Sequence, residues 1–509
     1  MAKGGINLRL PAWSEEMKER NQCVWMRGFR YQNDFVESIP GTKKYHGASL
    51  GSRITALMPY YNDQDDKFFL LCASGESVYR RNESTNEFDT LVSGLTPNSI
   101  HGSTIRHGVM YIPSVSDGLK KYEGGLMIYP VGGGSTAPGN FRQILWAKEV
   151  DRLFGISDDA IFGQISWCDL GEPEIWDGAN VERIKLKDGE RVEGAELLYG
   201  KLIIFCTYSV WIYYIQGNEE KWRLEEAPTV VGCVAPNTIK RVGSKIWYMG
   251  ESPKHQLGVY SFNGSISELL TDDVSPLFDS INPNKKRTAC AEVHDDLYTV
   301  SFATEFSDYN NISIDLDLLN AKKDGTPAIY GPHTLAFGCS CVLNGRQNDK
   351  EFLMGDEQDG FVYVEGGTTL KGVNGDDGEL LPLKYLGLVH ADDFGIMKQY
   401  NAISINFRPR GYFDALVKYY LSAGSYGVEH SFNPQANDLN FAGDFNVYEQ
   451  PFYGTPERYE YQEYLEMTAR GTSFQLEISN LIKGKRLAFD SYDYEKKDLY
   501  RARKVQNYA

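Results

Sequence analysis

Seven short apolar runs, each entered through a polar or glycine turn, recur at near-constant spacing, and this recurrence constrains the fold more than any other feature. They occupy residues 66–71, 107–112, 151–156, 200–205, 243–249, 295–300 and 349–354. With Phe68, Tyr111, Leu153, Leu202, Ile246, Leu297 and Phe352 as markers, the successive spacings are 43, 42, 49, 44, 51 and 55 residues. A four-stranded propeller blade repeats every 40 to 50 residues or so, and loop insertions account for the longer steps. A second strand follows each run, as at 208–214, at 257–262 before Asn263-Gly264, and at 360–364 before Gly366-Gly367. Asn-Gly is a type I′ hairpin signal. One blade cannot cover both of its faces, so neighbouring blades must do so.

The pattern predicts an all-β chain: a β-propeller of about seven blades over residues 21–370, followed by a C-terminal β-sandwich-like domain. The marker runs should be inner or second strands. The segment 21–26 is expected to add a strand to the last blade and close the ring, as propellers often do. Trp211, between Val210 and Ile212, is expected to be buried between blades, with Tyr213 or Tyr214 inward instead if the register slips by one. Residues 1–20 read as an N-terminal arm with a short helix within 11–20, and residues 371–380, rich in Gly and Asp, read as a linker. The sandwich-like domain is expected over 381–495, from strand alternation at 381–386, 402–407, 416–421 and 474–478. Inside it, residues 425–457 lack periodicity and are rich in Asn, Phe and Tyr, which reads as a long contact loop. Residues 496–509 form a C-terminal tail.

Composition agrees with sheet. The 33 tyrosines and 25 phenylalanines suit a pleated, half-buried surface, and 50 glycines against 20 prolines indicate many tight turns. A net charge of −17 repels polyanions over the surface as a whole and disfavours a dedicated nucleic-acid binder. The eight cysteines include no C-x-x-C pair, and most sit in apolar runs, so they read as reduced, buried thiols. Cys339 and Cys341 should share one strand face. The first residues lack the apolar core of a signal peptide, and no stretch approaches the roughly 18 apolar residues of a membrane span. Synthesis in the cytosol without membrane insertion is expected.

The search for chemistry yields no catalytic, cofactor-binding or metal-binding residue. There is no P-loop, G-x-S-x-G, H-E-x-x-H or dinucleotide fingerprint. His294, before Asp295-Asp296, reads as part of a solvated turn. The segments 356–360 and 374–379 carry the hard oxygens of a calcium loop without EF-hand spacing, and read as turn-forming carboxylates. Asp315 and Asp317 sit two apart on one strand face, which reads as a solvent-facing polar side. A sialidase-type propeller would repeat S-x-D-x-G-x-[ST]-W turns, which are absent, and the single Trp-Asp pair, Trp176-Asp177, disfavours a WD-repeat scaffold.

Two stretches carry a resemblance. One runs through 151–156 and 164–168 to Gly171-Glu172-Pro173-Glu174-Ile175-Trp176-Asp177; the other is 258–264 followed by Ser267-Glu268-Leu269-Leu270. Their strand-and-turn phrasing resembles β-propeller tail proteins of bacteriophages. Over residues 20–370 the chain is similar to the tail hub or nozzle of short-tailed phages, including packaged-DNA stabilisation proteins. The resemblance implies a structural virion protein without catalytic residues or cofactors, made in the host cytoplasm and placed in the virion tail. It implies a homo-oligomeric ring, commonly hexameric, that extends the portal and adaptor channel. Such a ring retains packaged DNA and allows genome ejection. Its partners would be the portal-side adaptor proteins, tail fibres or spikes, and double-stranded DNA passing without specific binding. Two other readings stay open: a carbohydrate-active or receptor-binding propeller of the tail-depolymerase kind, and a cellular propeller scaffold.

Overall fold

The structure is a computed structural model. It describes the chain except residues 1–2, 33, 63–66, 133–137, 158–162, 323–324, 345–349, 368–369, 372–376, 380–382, 391–395, 408–414, 422–424, 433–460, 481–487 and 502–509. Seven antiparallel sheets form the blades of a β-propeller. Blades 1 to 6 span residues 54–92, 104–130, 143–184, 192–226, 232–269 and 290–333. Blade 7 comprises Cys339–Asn344, Lys350–Gly355 and Val362–Gly367, with Gly41–Lys44 as its outer strand. Every one of the seven apolar marker runs supplies the second strand of its blade. Among the described residues the turn before such a strand is tight: in blade 4, Tyr199 and Gly200 take φ values of 51° and 68°, where glycine is unstrained.

Ring closure comes from Gly41–Lys44, paired to Val362–Gly367, and not from residues 21–26 as expected. The reason lies in what Trp25–Arg27 does instead. Its Met26 pairs with Gly331 on the outer strand of blade 6, and its other edge pairs with Lys384–Leu386. The N-terminal segment thus bridges two parts of the chain. Blade 6 continues through Trp25–Arg27 into Lys384–Leu386, Phe474–Asn480, Ala415–Leu421 and Ser425–Phe432 as one nine-stranded sheet. Against it lies a five-stranded sheet of Phe29–Gln32, Phe35–Ser38, Ala488–Arg501, Ile396–Phe407 and Tyr461–Gly471. Aromatic rings fill the space between, with Tyr385 edge-on to Phe489 and Tyr400 against Phe474. Residues 25–38 therefore belong to the sheets of the C-terminal part, although the sequence placed them in the propeller.

Other expectations meet the structure at particular residues. The N-terminal helix is Glu15–Glu19. In the expected linker, Leu370–Lys371 pairs with Asp377–Glu379, while 372–376 lie outside the described residues. In the expected contact loop, Ser425–Phe432 is a strand paired to Ala415–Leu421, and 433–457 lie outside the described residues. Its polar and aromatic composition hid a strand at the sheet's edge. All eight cysteines are buried and unbridged, and Cys339 and Cys341 lie in the same layer between blades 7 and 1.

Both faces of each blade are covered. Separate apolar layers lie between blades 1 and 2, 2 and 3, 3 and 4, 4 and 5, and 7 and 1. Blades 4 and 5 approach so closely that a Cβ on Gly232 would collide with the carbonyl of Cys206. The layer around blades 5, 6 and 7 differs: it runs without a break into the C-terminal sheets. Trp211 is only partly buried, packing on the layer between blades 3 and 4, and its indole donates to Ser209 Oγ at 3.1 Å. Tyr213, two residues on and on the same face, is the buried aromatic at 2% exposure. The expected face held, but the deepest point moved along the strand by one pleat.

Candidate functional site

The densest collection of ionisable groups is buried where blades 6 and 7 meet the N-terminal hairpin. Asp315 stands on the third strand of blade 6, His333 on the fourth, His294 at the end of the first, and Glu365 on the third strand of blade 7. Arg30 reaches them from Phe29–Gln32 of the five-stranded sheet. Its Nε lies 3.5 Å from Asp315 Oδ2, and its Nη2 donates to Glu365 Oε1 at 3.4 Å. His333 Nε2 stands 3.1 Å from Asp315 Oδ2, and Thr299 donates its hydroxyl to Asp315 Oδ1 at 2.6 Å. His294 Nε2 is 3.8 Å from Glu365 Oε2, and its ring stacks on Phe352 with centroids 3.8 Å apart.

Charges taken out of water this way persist only when partnered. Burial opposes the charge of Asp315, but Arg30 and His333 outweigh it and hold the carboxyl well below the usual carboxylate range. Burial likewise works against Arg30, and Asp315 with Glu365 more than restores its protonation. Burial pulls the His294 imidazole below the ordinary histidine value, with Glu365 acting in the opposite direction. Both ring nitrogens of His294 and His333 are buried without an aligned hydrogen bond.

This junction overturns two sequence readings. Asp315 and Asp317 are 1% and 5% exposed, not on a solvent face. Asp317 accepts the Tyr330 hydroxyl at 3.0 Å and the Asn320 side-chain amide at 2.7 Å. His294 is also buried, although Asp295 and Asp296 after it do form an exposed turn. The missed signal was positional. A third strand in a propeller has both faces covered, so alternating Asp residues there must find partners. The cationic partner came from Arg30, 285 residues away along the chain.

Polar groups gather at three other places. On the inner strands of blades 5 to 7, Lys240 donates to Glu292 at 2.9 Å and Ser340 to the same carboxylate at 3.4 Å. Blade 5 and the connections flanking it hold an open cleft of about 480 Å³ lined by Val230, Val231, Lys254, His255, Tyr260 and Asp272. Asp356, in the first calcium-like segment, accepts the amide of Asp359 at 2.7 Å and so serves the turn; of the second, 374–376 lie outside the described residues. Among the described residues no group of three or more His, Cys, Asp or Glu is arranged to hold a metal ion. No helix among them is long and apolar enough to cross a membrane.

No family model matches the chain, and no curated protein does. Solved structures are similar to it at low identity. The computationally designed Ika8 protein is 9% identical with a TM-score of 0.37, covering 67% of this chain and 96% of its own. A chain of the mitotic checkpoint complex is 11% identical with a TM-score of 0.39, covering 66% and 93%. An auxiliary nutrient binding protein from Bacteroides thetaiotaomicron is 13% identical with a TM-score of 0.34, covering 67% and 75%. At these scores no functional argument rests on any of them.

Proposed function

We propose that this chain is a structural protein of a virion, a hub or nozzle subunit in the tail of a short-tailed phage. In this reading identical copies form a ring below the portal and adaptor, retain the packaged genome and let it pass at ejection. The observation that supports it most is the continuity of blade 6 with the C-terminal sheets through Trp25–Arg27. A propeller and a second β-layered part sharing one sheet and one apolar core make a stiff body, suited to transmitting load around a ring. The acidic balance of the chain supports passage of DNA without capture, because each phosphate neutralised by Lys or Arg adds counterion-release affinity.

The test is imaging and mass measurement of the purified chain mixed with portal and adaptor proteins of short-tailed phages. The reading expects closed rings of identical copies, commonly six, seated on the adaptor. A chain that stays monomeric beside these proteins, or that cleaves polysaccharide in a sugar-release screen, would overturn it. Duplex DNA should show no measurable binding to the isolated chain at physiological salt.

A further inference from the structure

The two ends of the propeller differ in charge and in the number of large apolar side chains they expose. Among the described residues, the turns joining first to second and third to fourth strands of a blade lie at the same end. Contacts across blades tie this end together: Arg106, before the first such turn of blade 2, donates to Asp151 in that of blade 3 at 2.8 Å and to the Gly171 carbonyl at 3.1 Å. Tyr60 of blade 1 donates to the Gly108 carbonyl at 2.7 Å, and Arg152 of blade 3 pairs with Glu219 of blade 4.

From this end large apolar side chains project into solvent on four blades. Leu126 and Met127 are 69% and 59% exposed on blade 2, Leu170 66% on blade 3, Tyr199 59% on blade 4 and Leu319 73% on blade 6. Scattered single hydrophobes are ordinary, and the opposite end exposes Phe306, Tyr309 and Val230; the acidic end carries the larger set, spread over more blades. Among the described residues the same turns expose Glu123, Glu149, Glu172, Asp177, Glu220 and Asp296, and the exposed lysines there are Lys148 and Lys221. At the opposite end the connections carry a balancing set of cations, including Arg191, Lys285, Lys286 and Arg287, which meet carboxylates such as Glu193, Glu251 and Asp308.

We infer that the acidic end docks a protein partner whose surface is basic and offers apolar pockets. Charge complementarity selects this occupant: carboxylates around the apolar side chains repel nucleic acid and acidic proteins, and they steer a cationic surface into register. The leucines and Tyr199 then supply the desolvated contacts. The inference needs only the fold and not the tail reading, so it stands or falls separately.

A fluorescent helical peptide with one lysine face and one leucine face serves as the probe, read by anisotropy at 150 mM salt and by hydrogen-exchange footprinting. The expected result is binding with protection in the turns at 123–127, 169–177 and 218–221. Affinity should fall at least tenfold in the E149K/E172K/E220K variant and in L126S/L170S/L319S, each with an unchanged melting temperature. The D188K/E305K/D308K variant, altered at the opposite end, should bind as the native chain does, and a glutamate–leucine peptide should not bind. A footprint elsewhere, equal loss in the opposite-end variant, or no binding would overturn the inference. So would self-association of the chain that the same substitutions abolish, because the occupant would then be a second copy.

Discussion

Blades 4 and 6 have the same four-stranded plan and opposite interiors. On either side of blade 4 lie Phe205, Ile204, Val210 and Tyr213, with the Trp167, Trp222 and Phe154 rings against one face. Its fully buried carboxylates sit near one end, where Glu190 accepts the Ser209 hydroxyl at 2.6 Å and Glu193 meets Arg191 and Arg287. Blade 6 carries Asp315, Asp317, His294 and His333 inside, and its outer edge is not an edge at all, because Trp25–Arg27 continues the sheet. The difference teaches where each blade's stability comes from. Blade 4 is held by apolar area shared with its neighbours. Blade 6 is held as well by charges that are tolerable only while Arg30 arrives from another sheet, so its packing depends on the chain's two ends being in place.

The sharpest way to break this contrast is Arg30→Ala. It leaves Asp315 and Glu365 buried without their cation, and removing one partner of a buried pair costs about 3–5 kcal/mol. Denaturant unfolding measures it. Arg30→Met with Asp315→Leu and Glu365→Gln should recover much of that loss, because no lone charge remains. In blade 4 the corresponding blow is steric. Tyr213→Ala should cost about 3–5 kcal/mol by opening a cavity, and Trp211→Ala, at a half-exposed position, clearly less. Equal losses at the two positions would mean that the pleat assignment is wrong.

Acid sharpens the comparison further. His294, between Glu365, Arg30, Asp315 and the Asp295 turn, has its folded value depressed by burial. The unfolded chain therefore binds a proton that the native chain refuses. Stability is present in full above about pH 6.5 and falls as pH drops, by up to about 1.4 kcal/mol per pH unit for one group. His46 adds to this at the ring closure. Its Nε2 accepts the Val362 amide at 2.9 Å and its Nδ1 faces the Ala48 carbonyl at 2.6 Å, so the neutral ring is the bonded form. Burial lowers its value too. His294→Gln should flatten the stability curve between pH 7 and 5, read by melting temperature. Asp315, also depressed, keeps its contribution through that window and loses it as pH falls through the usual carboxylate range and below. The smallest effect is expected outside both blades: Leu126→Ser changes stability by about 0.5 kcal/mol or less.

The propeller could be read from the sequence because its signal is local. An apolar run after a tight turn, such as 200–205 after Tyr199-Gly200, encodes a second strand wherever it falls. What could not be read depends on distance along the chain. Trp25–Arg27 has a strand's composition, but nothing in it says whether it closes blade 7 or bridges blade 6 to Lys384–Leu386. Asp315 looked solvated because alternation alone cannot distinguish a half-buried strand from one covered on both faces. Among the residues of the junction, none of the sequence motifs weighed for chemistry joins Arg30 to Asp315, His333 and Glu365.

Native-state hydrogen exchange under increasing denaturant tests most directly that blade 6 and the C-terminal sheets form one body. The amides of Pro327–His333, Trp25–Arg27 and Lys384–Leu386 are neighbours in a single ladder. They should open together, with one free energy and one denaturant dependence, and should part company in the Arg30→Ala variant. Exchange of Lys384–Leu386 at a much lower free energy than Pro327–His333 in the native chain would contradict the account.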